Sequence, residues 1–285
     1  MFIYRSQNME NNQNPLVGYF RKPEVYLSLP SKGKYYKHGV LDLPPNGELG
    51  IFPMTARDEL VLKTPDALLN GASTVEVIQS CVPAINNAWE IPSIDMDTLL
   101  IGVRIATYGE QMDIQIACNK CQTQNEFGID LTALMDQTKN WKFEEDLEIG
   151  DLKLTFKPLT YQELNAESLR NFEESKIMKI VNNDSLDDEK KREMFQDAFL
   201  RLTALTVDLI GKTICKVESP NGVTEDRAHI AEFVQNVDRK TFSAIQDHLD
   251  GQKDKNSFKQ FEGECTNCEA HLSTPIMFDN SNFFA

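Results

Sequence analysis

The chain has 285 residues, 41% of them hydrophobic, enough for one large domain or two small ones, and its formal net charge of −15 opposes binding to phosphate backbones and anionic membranes. No run approaches the roughly 20 apolar residues of a membrane span, since the most apolar stretch, Leu99 to Ala106, contains Arg104, and the Gln- and Asn-rich start lacks the apolar core of a secretory signal. The expectation is a soluble, intracellular protein whose partners are proteins, with no nucleic acid and no membrane among them.

In chain order, residues 1–22 read as a flexible arm. From Glu24 to Tyr36 an extended piece meets a Pro30-Ser31-Lys32-Gly33 turn and a short aromatic return. Leu41 and Leu43, then Leu49 and Ile51, alternate with polar residues around Pro44-Pro45-Asn46-Gly47, which predicts a hairpin. Four short helices are then expected: Thr55 with Asp58 and Ser73 with Glu76 resemble capping boxes, Thr64-Pro65 opens a third helix closed by Gly71, and Asp95 opens a fourth that Gly109 ends. Met112, Ile114 and Ile116 form a strand leading into Cys118, and Phe127, Ile129 and Leu131 alternate again after it.

Strand-like runs on either side of Gly150-Asp151 predict another hairpin, and Thr160 with Glu163 caps a helix beginning at Tyr161. Ser185 to Gly211 reads as the clearest helix, its Phe195, Phe199, Leu202, Leu205 and Leu209 stripe expected to be core and its acidic first turn suited to the helix dipole. A turn at Ser219-Pro220-Asn221-Gly222 precedes two short helices carrying Ile230, Phe233 and Phe242, Ile245, Leu249. The predicted organisation is α+β: an N-terminal β-hairpin and short-helix domain (23–110), a first zinc knuckle and β-hairpin (111–159), a mainly helical insertion (160–256), and a second zinc knuckle with a C-terminal strand (257–285).

Four of the six cysteines stand in two Cys-x-x-Cys pairs, Cys118/Cys121 and Cys265/Cys268, a usage that suits a reducing compartment better than a disulfide scaffold. Cys81 and Cys215 sit alone in apolar surroundings, where cysteine behaves as a small hydrophobe. Two intervening residues let both sulfurs of a pair turn toward one ion, and four thiolates in a tetrahedron make the closed geometry of structural zinc. The expected cofactor is one structural Zn²⁺ per chain on Cys118, Cys121, Cys265 and Cys268. The 143 residues between Cys121 and Cys265 far exceed the roughly 15 to 20 of a compact ribbon, but closing so long a loop costs only about 4 kcal/mol plus a constant, against roughly 10 to 16 kcal/mol from structural zinc. A redox dithiol suits the sequence less well, because Cys118 ends a strand instead of opening a helix. Two separate sites also suit it less, because His271 would complete only a three-ligand set.

No phosphate loop, dinucleotide fingerprint, nucleophile elbow or His-Glu-x-x-His helix is present, and His38, His229, His248 and His271 lie in polar or amphipathic contexts that suggest solvated or packed side chains. Acidic runs such as Glu144-Glu145-Asp146 read as solvated charge. A non-enzymatic protein without catalytic residues is expected. The acidic or neutral residues around the knuckles, Glu262, Glu264 and Glu269 among them, lack the basic and aromatic stripe of a nucleic-acid reader.

Residues 27–121 carry a family resemblance. The segment Leu29-Pro30-Ser31-Lys32-Gly33-Lys34-Tyr35-Tyr36, the stretch Met54-Thr55-Ala56-Arg57-Asp58-Glu59 with Leu68-Leu69-Asn70-Gly71, the run Asp97 to Gly109 containing Arg104-Ile105-Ala106-Thr107-Tyr108, and the knuckle after it resemble the baseplate hub subunits and hub-assembly proteins of T-even-type phages with contractile tails. Lys157-Pro158-Leu159-Thr160-Tyr161 is a weaker echo. The resemblance implies a structural or chaperone-like component of the central hub, in contact with other hub, spike or tail-tube proteins, located in the host cytoplasm during assembly or in the virion tail. It implies no catalytic residue. The alternative from another class is a zinc-ribbon regulator of phage transcription or replication. Tyr35 and Tyr36 are candidates for display to a partner, or else the packed end of a turn.

Overall fold

Strand β1 (Val25–Leu27) pairs antiparallel with β2 (Leu49–Ile51), Val25 opposite Ile51. This corrects the hairpin expected around Pro44-Pro45-Asn46-Gly47. The turn itself forms, with the Gly47 amide donating to the Pro44 carbonyl at 2.8 Å, but its two prolines have no N–H to give a ladder. The Leu41 flank instead bridges to Ile85, leaving β2 to the earlier strand. The computed structural model describes residues 15–63, 71–166, 168 and 188–276, so the predicted Thr64-Pro65 helix start and the first residues of the predicted Ser185 helix lie outside the described residues.

Helix α1 (Ala56–Leu62) begins at the predicted Thr55/Asp58 capping box, with both reciprocal bonds present. Helix α2 (Ala72–Cys81) corrects the second box: Gly71, at φ +74°, is the N-cap, and Ser73 lies fully buried inside the helix. Helix α3 (Ser93–Tyr108) buries ten of its sixteen residues, so it is the centre of the larger core and not an amphipathic surface helix. It starts two residues before Asp95, which leaves the Asp95 carboxylate free to accept from the Ser31 amide (2.9 Å) and hydroxyl (2.5 Å), pinning the Pro30–Gly33 turn to the helix. Gly109 ends it at φ +93°.

Strands β3 (Gln111–Ala117) and β4 (Gln124–Asp130) form a seven-residue antiparallel ladder. The alternation that seemed to continue through Leu131 breaks there, because the Asp130 side chain caps α4 (Leu131–Thr138), a helix the pattern did not reveal. The predicted second hairpin is β5 (Asp146–Ile149) and β6 (Leu152–Phe156), and Thr160 and Glu163 make the expected capping box for the helical residues 161–166.

Helix α5 (Asp188–Thr213) runs into β7 (Ile214–Ser219), which returns through the predicted Ser219–Gly222 turn as β8 (Gly222–Thr224). These strands lie in the stretch expected to be mainly helical, and they extend the second hairpin into a four-stranded sheet of order β5-β6-β7-β8. Helices α6 (Arg227–Asn236) and α7 (Arg239–Lys255), capped by Asp226 and Asp238, bring Ile230, Val234 and Ile245 onto a second core with Leu154, Phe156, Ile210 and Ile214. The α5 stripe is corrected in part: Ile210 is buried and Leu202, Leu205 and Leu209 are half-buried, but Phe195 (49%) and Phe199 (58%) face solvent. A last pair, β9 (Phe261–Glu264) and β10 (His271–Thr274), is antiparallel, and Phe258 just before it stacks near Trp141 with ring centroids 4.9 Å apart.

Candidate metal centre

Each Cys-x-x-Cys pair is the turn of a hairpin, the first joining β3 to β4 and the second β9 to β10. The two turns have the same backbone. The Cys118 amide donates to the Thr123 carbonyl (2.9 Å) and the Gln122 amide to the Cys118 carbonyl (2.8 Å); the Cys265 amide donates to Ala270 (2.9 Å) and the Glu269 amide to Cys265 (2.9 Å). Gln122 (φ +61°) and Glu269 (φ +56°), at equal offsets from their first cysteines, adopt the left-handed conformation that few non-glycine residues occupy. A tight turn held this way points both of its sulfurs to one side.

All four sulfurs lie within 4.8 Å of one another, with Cys118 to Cys268 at 3.7 Å and Cys121 to Cys265 at 3.6 Å. A tetrahedron of thiolates about 2.3 Å from a central ion has edges of about 3.8 Å, so these separations suit one ion, and they are far too long for disulfides at about 2.05 Å. Cys118 and Cys265 are buried, Cys121 and Cys268 half-buried. Hydrogen bonding from the Thr123 hydroxyl and amide and from the Asn267 side chain pulls the Cys121 thiol down to about 5, and the Asn267 amide lowers Cys265. At Cys268 the Ala270 amide favours the thiolate, but the crowding of the other sulfurs outweighs it and pushes the thiol up to about 12. Four sulfurs this close cannot all carry charge without a cation among them.

Asn125, absent from the sequence-level candidates, ties the two hairpins together. It is 2% exposed; its amide nitrogen donates to the Thr123 carbonyl (2.9 Å) and lies 3.6 Å from the Cys265 sulfur, while its oxygen accepts from the Thr266 amide (2.8 Å) and hydroxyl (2.9 Å). A signal was present in the sequence, since Asn125 shares the inward phase of Phe127 and Ile129, where an amide is stable only with its hydrogen bonds made. Phe127 stacks against Phe261 (4.9 Å), and a Cβ on Gly263 would stand 3.1 Å from the Phe127 ring, so the hairpins meet closely there and a larger residue would require the rings to shift.

The other sequence-level candidates are dispersed. His271 sits exposed on β10 opposite Glu264, and His248 contacts the Glu144 carbonyl at 3.0 Å. Glu144 pairs with Lys255 (2.8 Å) and Asp146 with Lys153 (2.9 Å), surface ion pairs in the run read as solvated charge. Tyr36 packs against the larger core, and Tyr35 packs edge-on against Phe143 (5.8 Å) while its hydroxyl donates to Glu145, so this segment is a packed turn. Cys81 is fully buried and Cys215 half-buried.

Fold and site together define a mixed α+β protein in which two distant hairpins converge on a four-cysteine cluster compatible with a metal site. The family model described as T4 bacteriophage base plate protein matches residues 23–285. The chain belongs to that family and is a phage baseplate protein, one that works by assembling with other tail components. The match takes in both cysteine pairs and α5 as well as residues 27–121. No curated protein and no solved structure matches the chain significantly. Among the described residues no helix is long and apolar enough to cross a membrane.

Proposed function

We propose that this baseplate protein is a structural or assembly component of the central hub of a contractile tail, acting without catalysis through contacts with other hub, spike or tail-tube proteins. Cys118, Cys121, Cys265 and Cys268 hold one structural zinc ion. The observation that carries the zinc reading is the convergence, in a baseplate-family chain, of four sulfurs from hairpins 143 residues apart at tetrahedral spacing. Soft thiolate donors in that geometry favour zinc. Four protein ligands leave no position for a water to be activated, which fits a staple holding the β9–β10 hairpin to β3–β4. The hub assignment rests on the resemblance of residues 27–121 and on the acidic surface, which suits protein partners better than phosphate.

The test is capture of the tagged chain from infected cells, with co-purifying proteins identified by mass spectrometry and mature virions examined for the chain. Hub, spike or tail-tube proteins are expected. Presence in virions marks a permanent subunit of the tail, and absence an assembly factor of the host cytoplasm. Recovery of polymerase or replication proteins alone overturns the hub reading. Metal analysis of the purified chain should find one zinc per chain, lost in a Cys265→Ser, Cys268→Ser double variant; a folded chain with no metal and four freely titrating thiols overturns the zinc assignment.

A further inference from the structure

Two sulfur couples run between the hairpins of the cysteine cluster. Cys118 faces Cys268 at 3.7 Å, and Cys121 faces Cys265 at 3.6 Å. Each couple joins a half-buried cysteine, Cys268 or Cys121, to a buried one, Cys118 or Cys265. That division suits oxidation followed by resolution: an oxidant meets the accessible sulfur first, and the shielded neighbour is in place to attack the oxidised atom. The partners are 150 and 144 residues apart in sequence. In an unfolded chain loop closure favours the cysteines three positions apart within each turn, so it is the fold that brings the distant couples together. A baseplate also changes surroundings, because a phage tail released from its host leaves a reducing cytoplasm for a medium in which disulfides form and persist.

We propose that the cluster is an oxidation site at which peroxide converts the metal staple into two disulfides across the hairpins, Cys118 with Cys268 and Cys121 with Cys265. In each couple the accessible thiolate attacks peroxide. A sulfur–oxygen bond forms, the oxygen–oxygen bond breaks, and hydroxide departs to leave a sulfenic acid on Cys268 or Cys121. The buried thiolate then attacks that sulfur, the sulfur–oxygen bond breaks, and a second hydroxide leaves as the disulfide forms. Both hydroxides take protons from solvent and become water, and each couple passes two electrons to one peroxide. Four thiolates turned into two neutral disulfides no longer hold a cation, so the metal is released. The sulfurs close from 3.7 and 3.6 Å to about 2.05 Å, and covalent bonds take over from the metal in holding β9 and β10 to β3 and β4. The product therefore differs from a redox dithiol confined to one Cys-x-x-Cys turn. This conversion rests on the reading of the four cysteines as one metal site.

The test treats the zinc-loaded full-length chain with hydrogen peroxide, reads released zinc with a chromogenic chelator and maps disulfides in tryptic peptides without reduction. Trypsin cuts after Lys120, which separates Cys118 from Cys121, and leaves Cys265 and Cys268 together on the peptide that starts at Gln260. The expected product is a single complex in which the Cys118 and Cys121 peptides are both joined to that C-terminal peptide. Fragmentation between Thr266 and Asn267 should assign Cys118 to Cys268 and Cys121 to Cys265. Two peroxides should be consumed for each zinc released, and dimedone present during brief exposure should label Cys121 and Cys268. The oxidised, zinc-free chain should keep slow amide exchange in β9 and β10, which the chelated and reduced chain loses, and oxidation in concentrated urea should give bonds within each turn instead. Cys118 joined to Cys121 in the folded chain, the opposite cross-pairing, dimedone on the buried sulfurs or oxidation to sulfinic acid without a disulfide overturns the proposal. Its failure is distinguishable from that of the zinc reading: a chain that releases one zinc and forms no cross-link loses only this assignment, whereas a folded chain isolated without metal removes the zinc reading.

Discussion

Asn125 and Asp95 are both buried polar side chains, and their partners decide what each does. Asn125 offers hydrogen bonds to both hairpins, so Asn125→Ala strands the Thr266 amide and should cost about 2 kcal/mol in urea denaturation. Because the Asn125 amide links the two knuckles and lies 3.6 Å from the Cys265 sulfur, zinc affinity measured against a competing chelator should also fall, about 10- to 100-fold. Asp95 is dominated by burial, which, against the Ser31 hydrogen bonds, pushes its carboxyl up to about 6 from an ordinary 3.8. Between those values the folded chain keeps a proton that the unfolded chain has released. Its stabilising contribution is therefore fully present below about pH 4 and lost as pH rises through 6, an effect of roughly 3 kcal/mol. Asp97 shifts in the same direction, so the measurement is a comparison: the stability of the wild type relative to Asp95→Asn should fall by about that amount from pH 4 to 7. A difference that stays flat with pH would refute it.

At the scale of elements, α3 depends on what its surface omits. At Gly102 a Cβ would stand 2.5 Å from the Leu27 side chain and 3.5 Å from Ile51, so the helix lies almost in contact with the β1–β2 pair. Leu27 and Ile51 are themselves buried and have little room to yield. Gly102→Val should destabilise the chain by about 2–4 kcal/mol through overpacking, despite valine's better helix propensity; thermal and urea melts would show it. Thr55→Ala, which removes one half of a capping box, should cost only about 1 kcal/mol. Elements of this kind were legible in the sequence where their signals close within a few residues, as in the boxes at Thr55 and Thr160, the Gly109 stop and the turns at Gly150 and Asn221. Ser73 misled because a glycine two residues earlier took the cap, and α4 was hidden because Leu131 continued the strand alternation into a helix that Asp130 starts.

For the whole molecule, the two hairpins share a small cluster of buried residues, Cys118, Cys265 and Leu272. A cluster this small offers little apolar burial, and the metal would supply most of what holds the hairpins together. Stripping the metal with a chelator should therefore speed amide exchange first in Phe261–Thr274 and the tip of β3–β4, leaving α3 protected, as hydrogen exchange with mass spectrometry can read. Uniform loss of protection would contradict this division. By itself the sequence determined the mixed α+β class, most caps and turns, the four cysteines and the acidic character, because each depends on composition or on bonds made within a few positions. Only the tertiary structure decided that β2 pairs with β1, that β7 and β8 join the second hairpin, that Phe195 and Phe199 stay exposed and that Asn125 bridges the knuckles. The physical reason is that those outcomes depend on which distant surfaces exclude water from each other, and a local pattern of side chains does not specify its distant partner.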